Sequence, residues 1–296
     1  MHIGLIDVDG HNFPNLALMK ISAWHKAQGD TVEWCFPMRH YDIVYQSKVF
    51  DDTYSSDIDW IPLADKIIKG GTGYGLDNKL PDEIEHIYPD YSIYPELTKD
   101  TAYGFLTRGC PRGCEFCIVA SKEGRRSYKV ADLSEFWNGQ KHIELLDPNL
   151  FACKDRMELL DQLIESRAIV NFNQGVDIRF ADEAVADKLN QMRIKRLHFA
   201  WDNPNDDLVP YFERFTEAYK RKSSANKVCY VLTNFNSTME ENLYRIYKLR
   251  ELGYDPYVMI YDKPNAPREI RHLQRWVNNK FVFRKCERFE DYKKGY

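Results

Sequence analysis

Cys110, Cys114 and Cys117 stand in a C-x3-C-x2-C pattern within Arg-Gly-Cys-Pro-Arg-Gly-Cys-Glu-Phe-Cys, residues 108–117. Thiolates are soft ligands that suit zinc or iron–sulfur clusters, and three on one tight loop can converge on a single centre. A structural zinc site needs a fourth ligand and usually shows a second paired Cys or His motif. The chain has no other C-x2-C and no H-x3-H, so the set is three-fold. A cubane cluster held by three thiolates keeps one iron free for a ligand that is not protein. Zinc remains the alternative at this point.

The elements that must carry this loop follow a repeating order. From Thr101 onward, apolar strands are expected at Tyr103–Thr107, His142–Leu146, Ile169–Phe172, Arg196–Ala200, Val228–Leu232 and Tyr257–Tyr261. Between them, 154–166, 182–192, 207–222, 239–252 and 267–277 place apolar residues three and four apart, the helical spacing. The Cys loop follows the first strand, and function in such alternating folds gathers at strand C-terminal ends. Polar sets recur at those ends: Asp147-Pro-Asn149, Asn173 to Arg179, Trp201-Asp202-Asn203, Thr233-Asn234-Phe235-Asn236 and Asp262-Lys263-Pro264-Asn265. Each can be loop capping, because Asp and Asn satisfy turns and helix N-termini. Their recurrence at one end favours a shared site. Arg112 and the run Glu123–Arg126 read as a solvated face.

Thr107-Arg108-Gly109, the three cysteines, Pro111 and Phe116 together resemble the radical S-adenosylmethionine (SAM) superfamily. The likeness is to the branch that carries a cobalamin-binding-like domain in front. It implies a [4Fe–4S] cluster on Cys110, Cys114 and Cys117, SAM on the open iron, and a reductant such as flavodoxin or ferredoxin. Reductive cleavage of SAM would then yield a 5′-deoxyadenosyl radical acting on an unknown substrate. The six units match that family's open partial (β/α)6 barrel. By the same resemblance, Asp147 and Asn149 occupy the position that binds the SAM amino group, without the family's Gly pair. Arg179 would pair with the SAM carboxylate or a substrate anion, and Asp202 would accept from the ribose hydroxyls beside Trp201. Asn234 joins the set, and Phe116 would pack near the adenine.

Upstream, a strand at Ile3–Asp9, a helix opened by Pro14 and ending near Gly29, and strands at Thr31–Phe36, 43–45 and 66–71 imply a small open α/β layer. It is similar to the cobalamin-binding domains of that branch. Asp9-Gly-His11 echoes their D-x-H-x-x-G motif, with Pro14 at the Gly position, and Ser47 and Gly70-Gly71 fall near their Ser and Gly-Gly. At this length it reads as a reduced version, with cobalamin an additional cofactor that the motif allows. The expected organisation is a Rossmann-like layer and connector over 1–90, the barrel over 101–266 and a basic extension over 267–296. Residues 72–100 are aromatic enough to pack rather than hang free.

A chain of 296 residues, 44% hydrophobic and 29% charged, is an ordinary globular composition. No run approaches the roughly 18 apolar residues of a membrane span, and no signal pattern opens the chain, so a cytoplasmic protein is expected. Seven cysteines, an odd number with three clustered, fit reduced thiols. Cys35, Cys153 and Cys229 read as buried inert thiols, and Cys286 as a candidate extra ligand. Residues 1–100 hold 8 Lys/Arg against 17 Asp/Glu, and residues 263–296 hold 10 against 4. A basic end can meet nucleic acid or be a solvated surface. Three alternatives stand beside the radical enzyme: a cobalamin-dependent radical methyltransferase, a methylthiotransferase, and an iron–sulfur or zinc adaptor that binds nucleic acid.

Overall fold

The two runs of strand and helix fold as two parallel sheets. A computed structural model describes residues 1–10, 12–221 and 223–292. Strands β1 (His2–Asp7), β2 (Thr31–Trp34), β3 (Tyr41–Ser47) and β4 (Ala64–Gly70) lie in the order β2-β1-β3-β4. Every pair is parallel. Helix α1 (Leu16–Ala27) makes the first crossover and buries Leu18 and Ile21 against Ile3 and Leu5. Asn15 caps it by accepting from the Leu18 N–H at 3.2 Å, so Pro14 precedes the helix instead of opening it. Neither later crossover carries a helix. The other face is covered by coil, with Ile6, Tyr41 and Val44 packed under Ile58 and Trp60.

The connector is tied to both sheets. It holds the short helices α2 (Asp82–Glu85) and α3 (Pro95–Thr98). Asp90 accepts from Ser22 and Lys26 of α1, each at 2.6 Å, while the Tyr91 hydroxyl donates to the Phe136 carbonyl at 2.6 Å. The Tyr94 hydroxyl donates to Asp7. Burying these aromatic rings removes apolar area that would be costly in water.

The second sheet begins with β5 (Thr101–Gly104), followed by a loop containing β6 (Thr107–Arg108), α4 (Val119–Glu123) and β7 (Tyr128–Lys129). Then β8 (His142–Leu145), α5 (Arg156–Ser166), β9 (Ile169–Val176), α6 (Glu183–Gln191) and β10 (Arg193–Ala200) alternate. They continue through α7 (Val209–Ala218), β11 (Lys227–Thr233), α8 (Met239–Glu251) and β12 (Asp255–Ile260). Helices α9 (Arg268–Asn278) and α10 (Lys280–Lys285) follow. The order β5-β8-β9-β10-β11-β12 never reverses, and all its pairs are parallel. Because parallel crossovers are right-handed, an order without reversal puts every crossover helix on one face. Ile143, Leu145, Val170, Phe172, Leu197 and Phe199 are buried there in one core with the helices. Each such side chain contributes about 1.5–3 kcal/mol by leaving water.

Most expected strands shift by one to three residues at an end, and two differences matter for the site. Thr107 leaves β5 and pairs antiparallel with Lys129 in a separate hairpin. Strand β9 continues through Asn173, Gln174 and Gly175 to Val176, with register shifts against β10 that accommodate the polar run. The basic C-terminal end is also part of the main core, since α9 buries Leu273, Trp276 and Val277 while exposing Arg268, Arg271 and Arg275. Among the described residues, no helix is long and apolar enough to cross a membrane.

Candidate metal centre

The loop carrying the three cysteines is closed at its base by its own chain. Gly109 has φ +76, and a Cβ there would stand 2.0 Å from the Arg126 carbonyl oxygen, so only glycine fits. Its N–H donates to Glu123 Oε2 at 2.9 Å, and Arg108 Nη1 donates to Oε1 of the same carboxylate at 2.8 Å. The Cys110 N–H donates to the Gly124 carbonyl at 3.2 Å. Glu123 therefore clamps the loop, and its side chain is largely buried. The solvated face expected there is overturned for Glu123.

Asp147, at the end of β8, fastens the loop to the sheet. Oδ1 accepts from the Thr107 N–H at 2.5 Å and the Thr107 hydroxyl at 2.6 Å, and Oδ2 accepts from the Leu106 N–H at 3.2 Å. Burial pushes this carboxyl up to about 6, against the lowering pull of those hydrogen bonds. Two residues on, Asn149 is buried and reaches the cysteines directly. Its Nδ2 lies 3.5 Å from Cys110 Sγ, and its Oδ1 accepts from the Asp177 N–H at 3.3 Å.

Arg112, between the first two cysteines, points at the ends of β9 and β10. Its guanidinium is 3.9 Å from Asp177, 3.7 Å from Asp202 and 3.5 Å from Asp206. Only 14% of its side chain is exposed, so the expected solvated position is corrected. Loop length hides this in the sequence: the three carboxylates lie far along the chain and only the parallel sheet brings them together. Arg179 makes a two-pronged pair with Asp177, Nε to Oδ1 at 2.9 Å and Nη2 to Oδ2 at 2.7 Å. That pairing holds its guanidinium above the ordinary arginine value. Burial raises the Asp202 carboxyl, with Arg112 and Arg245 opposing.

Nothing in the sequence singles out Arg245 of α8. It is fully buried and donates to the carbonyls of Trp201, Asp202 and Leu232 at 2.6, 2.8 and 3.1 Å, and to Asn242 Oδ1 at 2.6 Å. Burial lowers it to about 10. This side chain fixes the ends of β10 and β11 beside the loop.

Phe116 meets Phe235 of the β11 loop edge-to-face at 5.7 Å, and Phe235 meets Tyr261 after β12 at 4.9 Å. Asn234, at φ 61, donates to the Tyr261 carbonyl at 2.8 Å and braces that wall. The thiols of Cys114 and Cys117 are raised mainly by burial, with Cys110 adding to both and Cys117 adding to Cys114. Among the described residues, no group of three His, Cys, Asp or Glu gathers closely enough for one metal ion. Cys286 is remote from the loop. It follows α10, whose Lys280 binds the Pro256 carbonyl at the opposite end of β12, and its thiol donates to the Arg288 carbonyl at 3.1 Å.

In the N-terminal sheet, His11 lies outside the described residues. Asp9 accepts from the N–H groups of Val49 and Phe50 at 2.9 and 2.7 Å, and Ser47 accepts from Asn15 Nδ2 at 2.8 Å. Gly71 has φ +93 and lies against Lys48, whose carbonyl oxygen would be 2.2 Å from a Cβ. The two sheets meet beside the cysteines, where Lys122 of α4 donates to Thr72. No model of a known protein family matches the sequence, and no curated protein matches it.

Proposed function

We propose that the chain is a radical SAM enzyme in which Cys110, Cys114 and Cys117 hold a [4Fe–4S] cluster with one iron open to SAM. The observation that carries this is the seat of the Cys loop over the C-terminal ends of a singly wound parallel sheet. Residues from four neighbouring strand ends converge on it: Asn149, Asp177, Asp202 and Phe235. The six α/β units would form that superfamily's partial barrel. A single zinc draws its donors in to about 2.3 Å from one point, whereas a cubane gives each thiolate its own iron.

When bound, the cluster and SAM supply an electron and a 5′-deoxyadenosyl radical that takes hydrogen from a substrate. The chain supplies placement. Asn149 offers an N–H to the Cys110 sulfur, which stabilises thiolate charge and tunes the potential. Arg112 draws the loop down towards three carboxylates. Arg179, which pairs with Asp177, and Asp202 would meet a ligand carboxylate and ribose hydroxyls, and Phe116 with Phe235 would wall the site. The buried thiols of Cys114 and Cys117 would release their protons on loading, so cluster uptake should improve as pH rises. A flavodoxin or ferredoxin would deliver the electron.

Anaerobic reconstitution tests the proposal. The loaded protein should hold roughly four irons per chain and, when reduced, convert SAM to methionine and 5′-deoxyadenosine. Uptake of zinc with SAM left intact would replace it with the adaptor reading.

A further inference from the structure

Strand alternation sends Ile143, Leu145, Val170 and Phe172 towards the helices, so their neighbours Glu144 and Asn171 face the other way. That helix-free face of the second sheet is polar and aromatic. Asn171 Nδ2 donates to Glu144, and Lys195 donates to the same carboxylate at 3.1 Å. Next along the sheet, His198 and Tyr230 stack with ring centroids 5.3 Å apart and planes 7° apart. Tyr230 then meets Tyr257 edge-on at 5.9 Å. Tyr257 is 37% exposed and Met259 beside it 45%, so the ladder runs from a buried end to an open one.

One atom on this face lacks a partner. Asn171 is 93% buried, yet its Oδ1 accepts no hydrogen bond. Buried acceptors are nearly always satisfied, and exceptions call for a missing donor. The open end is basic. Lys195 and Arg196 are exposed on β10, and Lys280 Nζ lies 5.8 Å from the Tyr257 ring centroid. Lys280, paired with Asp255 at 2.8 Å, also lines a groove of about 630 Å³ in which Arg250, Arg284 and Arg288 stand with Asp255, Glu287 and Glu290, leaving one more cation than carboxylate.

We infer that this face binds a nucleobase carrying phosphate: the ring stacks on Tyr257 at the open end of the aromatic ladder, its polar edge turns inward towards Asn171 and Glu144, and its phosphate meets Lys195, Arg196 and the Lys280 groove. Stacked aromatics with a basic track fit nucleotides and single strands, because every base has a π-face. An amide that donates and accepts, next to a carboxylate acceptor, suits a heterocycle edge with both kinds of group. The substrate class rests on the radical SAM reading for its chemistry, but the binding does not.

Fluorescence anisotropy with the full chain, free of iron, tests the inference. The probes are a labelled single-stranded oligonucleotide, an abasic strand of equal length, and nucleoside monophosphates as competitors. The intact strand should bind, and the abasic strand roughly ten-fold more weakly. Tyr257→Ala should cost roughly ten-fold and Tyr257→Phe should restore binding. Arg196→Glu should flatten the salt dependence by about 0.7 for each phosphate that is no longer neutralised, while Asn171→Ser should change base preference without altering that slope. Competition by millimolar monophosphate marks a free nucleotide as the source, and its failure marks a strand; both support the shared chemistry. Equal binding of the abasic strand, no binding of any probe, or indifference to Tyr257→Ala would overturn it. Since iron is absent from this assay, its failure leaves SAM cleavage untouched, and failed SAM cleavage leaves the binding result standing.

Discussion

Both sheets end their parallel strands in polar loops, but the two ends differ in how fully those groups are paired. In the N-terminal sheet, Asp9 takes the N–H groups of Val49 and Phe50, Asn15 bridges Leu18 and Ser47, and Asp7 accepts from Tyr94. These carboxylates and amides close the loops they sit in. In the C-terminal sheet, Arg112 faces three carboxylates, none nearer than 3.5 Å, and the thiols of Cys114 and Cys117 feel its charge. Saturated polar groups hold a fold together, whereas buried groups held at long range leave capacity for something else. The difference lies at Arg112 and the thiols, since Asp147 and Asp177 are paired as closely as Asp9.

The contrast can be broken at either end. Replacing Cys110, Cys114 or Cys117 by Ala should lower iron uptake and SAM cleavage by more than ~100-fold, read by iron analysis and deoxyadenosine yield. Arg245→Leu should cost roughly 3–5 kcal/mol in urea unfolding, because three carbonyls lose their buried donor together.

Asp147 gives a pH test. Its folded carboxyl sits at about 6 against an ordinary 3.8. In that window the folded state holds more protons than the unfolded chain, so stability falls as pH rises. The contribution is fully present below about pH 4 and lost through pH 6, at most about 3 kcal/mol. Asp147→Asn should remove that part of the slope in matched unfolding series.

Asp9→Ala and Arg112→Gln sharpen the comparison. Asp9→Ala should destabilise by about 1–3 kcal/mol and leave the iron content of the folded protein unchanged. Arg112→Gln should change stability by less than ~1 kcal/mol, yet slow SAM cleavage roughly ten-fold by loosening the loop. Cobalamin uptake that depends on Asp9 would break the contrast, since that carboxylate would then serve a ligand as well as the fold.

The strands and helices of the second sheet are legible because continuous apolar runs alternate with helical spacing. The Cys loop is legible because its spacing is local. Strand β9 reads short in the sequence, since Asn173, Gln174 and Gly175 look like loop residues until β10 pairs alongside them. Arg112 and Arg245 escape sequence reading for a common reason. A buried guanidinium needs acceptors, and theirs come from strand ends remote in sequence. Asp147 is identifiable as an acceptor, but only the fold reveals that its donors are Leu106 and Thr107.

The open iron is the proposition on which the rest depends, and electron paramagnetic resonance of the reduced, reconstituted protein addresses it most directly. Adding SAM should reshape the cluster signal, because its amino and carboxylate groups would enter the coordination that three thiolates leave vacant. A signal indifferent to saturating SAM, or no cluster signal from protein that has taken up metal, would contradict it.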